Sequence, residues 1–326
     1  MISLLDPPAD ATVLPLPGLE ADNLLAFVAL LGLLRSLQTT RPSWRPRVSW
    51  KGPPWIAELH LAEPGSDADV AATADQGCHD LAVRFSQLIE SFDEDDRKNV
   101  AFERESYRRY VQLAREDNTS ASLISALAAE WPEKRAGGIQ AAPLVMMFGQ
   151  GHQNFLERLV AVPRGDLPNR FSKARTQPNM RDPERIAETL FRPWRYQDDA
   201  DGFRWDPEDD QRYALRYDDP SRAGAAPTMQ GPNRLAAVGF TSFIVAPGER
   251  QFSATGAIRS DGWCFIWPVW SKPLSLSGIE ALLAHPDVLT GALSRLRVFG
   301  VTEIFRARRI ANGKFMNVTR AQPVSH

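Results

Sequence analysis

Residues 18–38 read GLEADNLLAFVALLGLLRSLQ and are followed at 41–62 by RPSWRPRVSWKGPPWIAELHLA. Together they decide the fold class. Asp22 and Asn23 stand just before an apolar run, and a short polar side chain there accepts a free backbone N–H and starts a helix. The run is apolar on nearly every face, so the helix is expected to be buried. Gly32 costs it about 1 kcal/mol of propensity and permits close packing at that point. Arg35 ends the buried part. In the second stretch, Val48, Trp50, Ile56, Leu59 and Leu61 mark two short strands around Lys51-Gly52-Pro53-Pro54. A helix followed by a hairpin is an α+β pattern. Residues 12–19 add a strand or extended arm in front.

Working outward, residues 67–92, 102–113 and 120–131 read as helices, with 93–99 as a link. A Gly137-Gly138 loop and an apolar run lead to Gly149-Gln150-Gly151 and a helix over 152–162. Asp182 and Pro183 suit the cap and first turn of a helix over 182–190. Alternation at 213–217 predicts a half-buried strand, 233–238 a helix, and 240–246, 252–258 and 263–267 further strands. Ser260-Asp261-Gly262 and Ala311-Asn312-Gly313 are hairpin turns. Ser275 or Ser277 caps a helix over 276–284. The expected fold is α+β, with mixed or antiparallel sheets, a helical insert and a C-terminal basic hairpin. Two domains are expected. The first, 1–165, is α+β with a helical region at 67–131. The second, 166–326, is mainly β and carries an acidic segment at 198–219 and the basic hairpin at 295–320.

Whole-chain quantities bound the function. The chain has 326 residues, of which 43% are hydrophobic and 24% charged, a globular composition. The net charge of -2 confines any polyanion contact to a local patch. Two distant cysteines, Cys78 and Cys264, give no disulfide framework and point to a reduced, cytoplasmic protein. The opening lacks the basic and apolar regions of a signal peptide, and the apolar run at 24–34 is too short to cross a bilayer.

Charge is unevenly spread. From Asp198 to Asp219 there are nine acidic and three basic residues; from Arg295 to Arg320 there are seven basic residues and one acidic. Arg306, Arg308 and Ile310 share one strand parity, so one sheet face would be basic. The acidic run reads as a solvated loop, as a protein contact surface, or as a metal site built on Asp206, Glu208, Asp209 and Asp210, whose carboxylates could hold Mg²⁺ for phosphodiester cleavage. It also offers an electrostatic complement to the basic tail. Gly149-Gln150-Gly151 precedes a helix but lacks the Lys-Ser/Thr of a nucleotide-triphosphate loop. The five histidines are scattered, and no Ser-His-Asp or Cys-His spacing stands out. No metal and no cofactor is expected.

Three segments carry a resemblance: GLEADNLLAFVALLGLLRSL; FRWDPEDDQRYALRYDDPS followed by GPNRLAAVG; and CFIWPVWSKPLSL. They are similar to segments of accessory and large-subunit-like proteins of type I-G (formerly I-U) CRISPR systems, in blocks at 14–60, 139–160, 203–240 and 263–285. The resemblance implies a non-catalytic subunit of an antiviral effector ribonucleoprotein. Its partners would be the other effector subunits and guide RNA or target DNA, with no membrane and no small-molecule substrate. Local composition then nominates Arg158, Arg170, Lys173, Arg175, Arg306, Arg308, Arg309 and Lys314 as backbone contacts. Asn154 and Asn233 become polar readers. The alternatives are a metal-dependent nuclease using the Asp206–Asp210 cluster, and a protein-only adaptor docking through 198–219.

Overall fold

The computed structural model describes residues 10–98, 100–131, 138–146, 154–166, 181–198, 202–208, 228–247, 252–312 and 315–324. It is α+β, with antiparallel sheets and many helices. Helix α1 (Leu24–Thr40) is its axis. The Asn23 side chain accepts the Ala26 N–H at 3.3 Å, as the sequence predicts, and thirteen of the seventeen helix residues are buried.

Strands β1 (Thr12–Leu16), β2 (Arg47–Lys51) and β3 (Ile56–Leu61) form an antiparallel sheet in the order β1-β3-β2. Helices α2 (Asp67–Glu90), α3 (Glu94–Lys98), α4 (Arg104–Ala114) and α5 (Asn118–Leu127) follow. Helix α5 is capped by Asp117, which accepts from Ser120 N at 2.8 Å. It stops four residues short of the expected end. Residues β4 (Ala128–Glu130) leave it to pair with β5 (Ile139–Ala141). Helix α6 (Phe155–Ala161) starts later than the sequence suggests. Helix α7 (Pro183–Phe191) starts as expected, with Asp182 accepting from Glu184 N at 3.0 Å.

Helix α8 (Gln230–Gly239) is buried at every position and lies against α1. Glycines make this crossing. A Cβ on Gly32 would strike the Leu235 carbonyl, and one on Gly239 would strike the Val28 carbonyl. The two backbones therefore touch where no side chain fits. The chain then differs from its expected course. Residues 240–242 make a helical turn, and the strand β6 (Val245–Pro247) is short.

The large sheet runs β11-β10-β9-β8-β7-β6, with β12 (Gln322–Pro323) beside β10. Its members are β7 (Phe252–Ala254), β8 (Ala257–Ser260), β9 (Gly262–Trp270), β10 (Val301–Asn312) and β11 (Phe315–Val318). Ser260 pairs with Gly262, so that hairpin turn falls where the sequence puts it; Ala311 and Asn312, expected in the second turn, are paired strand residues opposite Met316 and Phe315, and residues 313–314 lie outside the described residues. Three short helices, α9 (Leu276–Leu283), α10 (Pro286–Thr290) and α11 (Leu293–Leu296), cover one side. Residues 295–299 are thus helical, where the sequence suggested the start of a strand. Trp267 donates to Ala21 O at 2.8 Å, and Trp270 donates to Val48 O at 2.7 Å. The large sheet is thereby fastened to Ala21 and to the small sheet. One buried apolar cluster runs from Leu16 to Ala321 and draws on both sides of residue 165. Among the described residues no helix is long and apolar enough to cross a membrane. The strand expected at 213–217 lies outside the described residues.

Candidate functional site

The most distinctive sequence segments meet at Asp206. Asn23, having capped α1 with its oxygen, donates from Nδ2 to Asp206 Oδ1 at 3.2 Å. The Glu208 backbone N–H donates to the same oxygen at 3.0 Å. Asp206 is buried, and burial pushes its carboxyl above the usual range against those hydrogen bonds. Beside it, Trp205 stacks on Phe203 at 4.6 Å and on Phe240 at 5.9 Å, and donates from Nε1 to Leu144 O at 3.0 Å. Phe155 of α6 packs edge-on against Phe203 and Phe240.

Outside this aromatic knot, Arg320 gathers three acids. It reaches Glu20 at 2.6 Å, Asp22 at 2.8 Å and Glu208 at 2.8 Å. The expected complement between acidic segment and basic tail is realised at the Glu208–Arg320 pair. Among the described residues no group of three or more His, Cys, Asp or Glu is arranged to hold a metal. Asp209 and Asp210 lie outside the described residues.

The nominated contact residues fall in different places. Asn154 takes a left-handed conformation (φ 49°) at the start of α6, and Arg158 donates to Gly202 O at 2.8 Å. Asn233 is buried on α8; its oxygen accepts from Phe203 N at 3.2 Å and its amide donates to Met229 O at 2.8 Å. Arg158 and Asn233 are thereby brought together, as braces on the 202–203 backbone. On β10, Arg306 is half-buried, Arg308 is exposed and pairs with Asp261 at 3.2 Å, and Arg309 reaches inward to Pro143 O at 3.0 Å. Arg170, Lys173, Arg175 and Lys314 lie outside the described residues.

Two arrangements escape a reading of spacing. In the first, Ser49 Oγ lies 2.8 Å from His60 Nε2, and His60 Nδ1 lies 2.9 Å from Asp10 Oδ2, with Arg47 also paired to Asp10. The β2–β3 register creates this chain by setting Arg47 opposite His60 and Ser49 opposite Glu58. No Ser-His-Asp arrangement was expected, and here one forms. Its chemistry is that of a clamp. Ser49 is 4% exposed, so the hydrogen-bonded chain joins β2 to β3 inside the molecule. In the second, Asp75 of α2 is fixed between Arg234 of α8 and Arg181. Elsewhere, an open groove of about 470 Å³ lies between α4, α5 and β6, lined by Val111, Ile124, Ala129 and Val245. Arg108 and Glu130, a two-point ion pair, stand at its rim.

Comparison with known proteins gives no match: no protein-family model, no curated protein and no solved structure corresponds to this chain. The labels that the resemblance implied are withdrawn on that finding: CRISPR, antiviral defence, effector-complex subunit, RNA-binding and DNA-binding.

Proposed function

We propose that the chain is a non-catalytic subunit that works by docking onto another protein. One observation carries this reading. The helical turn Arg297–Phe299, between α11 and β10, exposes two adjacent large apolar side chains. Val298 is 75% exposed and Phe299 48%. Scattered exposed hydrophobics are ordinary, but two together on a firm base invite a partner. The base is a satellite apolar cluster of Ile266, Leu282, Val288, Leu293, Leu296, Val301 and Ile304. Gly300 takes a left-handed conformation (φ 84°) that turns the chain sharply into β10 and leaves the pair projecting. Arg297 and Lys272 are exposed around it, Lys272 lies over Gly300, and Arg295 nearby pairs with Asp287 at 3.4 Å.

An apolar knuckle ringed by cations fits an apolar pocket with an acidic rim. Burial of Val298 and Phe299 would supply about 1.5–3 kcal/mol each before the costs of association. The cations would steer encounter and set its salt dependence. The test is equilibrium binding of the purified chain to the proteins that co-purify with it, after nuclease treatment. Val298→Asp should weaken binding about tenfold or more, and Arg297→Glu should lower the association rate with a reduced salt slope. Binding unchanged by both substitutions would refute the docking reading.

A further inference from the structure

Against the Val298–Phe299 knuckle stands a histidine whose hydrogen bond dictates its protonation state. His285 precedes α10, and its Nδ1 accepts from the Asp287 backbone N at 3.2 Å. A backbone N–H can only donate, so this Nδ1 carries no hydrogen, and the neutral ring keeps its hydrogen on Nε2. The ring lies 5.7 Å from that of Phe299, tilted by 56°. Phe299 is thus half exposed and set against an imidazole. The His285 backbone is held twice: its N donates to Leu282 O at 3.0 Å, and its carbonyl accepts from Val288 N at 3.0 Å. Only the side chain is left to respond.

A second proton on this ring has to go to Nδ1, where the Asp287 N–H already points. Two hydrogens would then face each other, and the side-chain cap of α10 would be lost. The charged groups on the surrounding elements are already committed or are themselves cations. Asp287 pairs with Arg295 of α11 at 3.4 Å, and Glu280 of α9 with Arg35 at 2.7 Å. Arg297 on the knuckle turn and Lys272 beside Gly300 are positive. The imidazolium therefore turns away, and Phe299 loses the ring it rests against. Histidine is the side chain that changes charge between pH 5 and 8.

We propose that His285 is a proton-sensitive brace for the docking knuckle, which holds Phe299 when neutral and releases it when charged. This regulation rests on the docking reading. Since the docking form prefers the neutral ring, docking is full above the titration of His285 and falls as pH drops through it.

The test uses the full chain. Nuclear magnetic resonance follows the His285 ring, the Asp287 amide and the Phe299 ring of the chain alone from pH 8 to 5. All three should move with one midpoint. The proteins that co-purify with the chain then serve as the binding probe at pH 8 and 5.5, at fixed ionic strength. The native chain should bind about fivefold more weakly at the lower pH. His285→Asn keeps a capping oxygen but does not titrate, so its binding should be equal at both. An Asp287 amide and a Phe299 ring that stay unmoved while His285 titrates would overturn the brace, as would an equal pH response from the native chain and His285→Asn. Binding at pH 8 unchanged by both Val298→Asp and Arg297→Glu refutes the docking reading instead, and the resonances still decide the brace.

Discussion

Asp206 shows how far a residue type speaks for itself. In the sequence it heads an acidic run, where a metal site is one of three readings. In the structure it receives the Asn23 and Glu208 donors inside the molecule. An amide at this position keeps the accepting oxygen. Asp206→Asn is therefore expected to fold with near-native stability, whereas Asp206→Ala strands two buried donors and should cost about 1–3 kcal/mol. The pH dependence follows from the raised folded pKa. Between the unfolded carboxyl value, about 3.9, and the higher folded value, the native state holds a proton that the unfolded chain has lost. The contribution of Asp206 is full below the unfolded value and is lost as pH rises through the folded one. Urea titrations across that window should show the decline in the native chain and its absence in Asp206→Asn. Cysteine gives a second check. Both thiols are buried, and burial pushes that of Cys78 up to about 11. A thiol reagent at neutral pH should modify neither in the native chain and both after denaturation; rapid native labelling of Cys78 would contradict its placement.

At the scale of elements, the crossing of α1 and α8 is the sharpest prediction. Gly239→Ala must push a methyl into the Val28 carbonyl, so a loss of about 1–3 kcal/mol or more is expected in denaturant unfolding. The α1 half of this crossing was legible: a helix apolar on all faces has to be enclosed, and a glycine within it marks a close approach. The α8 half was not. GPNRLAAVG looks half polar, yet Asn233 and Arg234 are buried, Asn233 bonded to Met229 O and Arg234 to Pro163 O and paired with Asp75. Turns and caps were read well where chemistry is local, as at Asn23, Asp182 and Ser260. The end of α5 was missed because pairing with β5 overrides helical propensity. The basic face expected of Arg306 and Arg308 on β10 is not confirmed, since Arg306 is half-buried. Arg309 turns inward to Pro143, and Arg308 is matched by Asp261, a residue distant in sequence. The Ser49–His60–Asp10 clamp was invisible for the same reason, since strand register alone assembles it.

Across the whole molecule, the C-terminal segment closes onto the start of the chain. Arg320 joins Glu20 and Asp22 to Glu208, and Ala321 N donates to Asp22 O at 2.9 Å. Arg320→Ala should cost about 1 kcal/mol, since these side chains are partly solvated, and should speed amide exchange in residues 315–324 and at the start of α1. Exchange confined to 315–324 would mean that the two ends are not coupled. What this closure leaves outward is the 297–299 knuckle, on which the functional reading depends. The most direct test places a photo-crosslinking amino acid at 298, and as a control at the exposed Leu113, in cells that carry the native gene. The account predicts one discrete protein adduct from position 298. That adduct should be absent from position 113 and lost when Arg297→Glu is added, and the adducted protein, once purified, should bind the native chain more tightly than Val298→Asp. The same adducts from both positions, or none from 298, would contradict it.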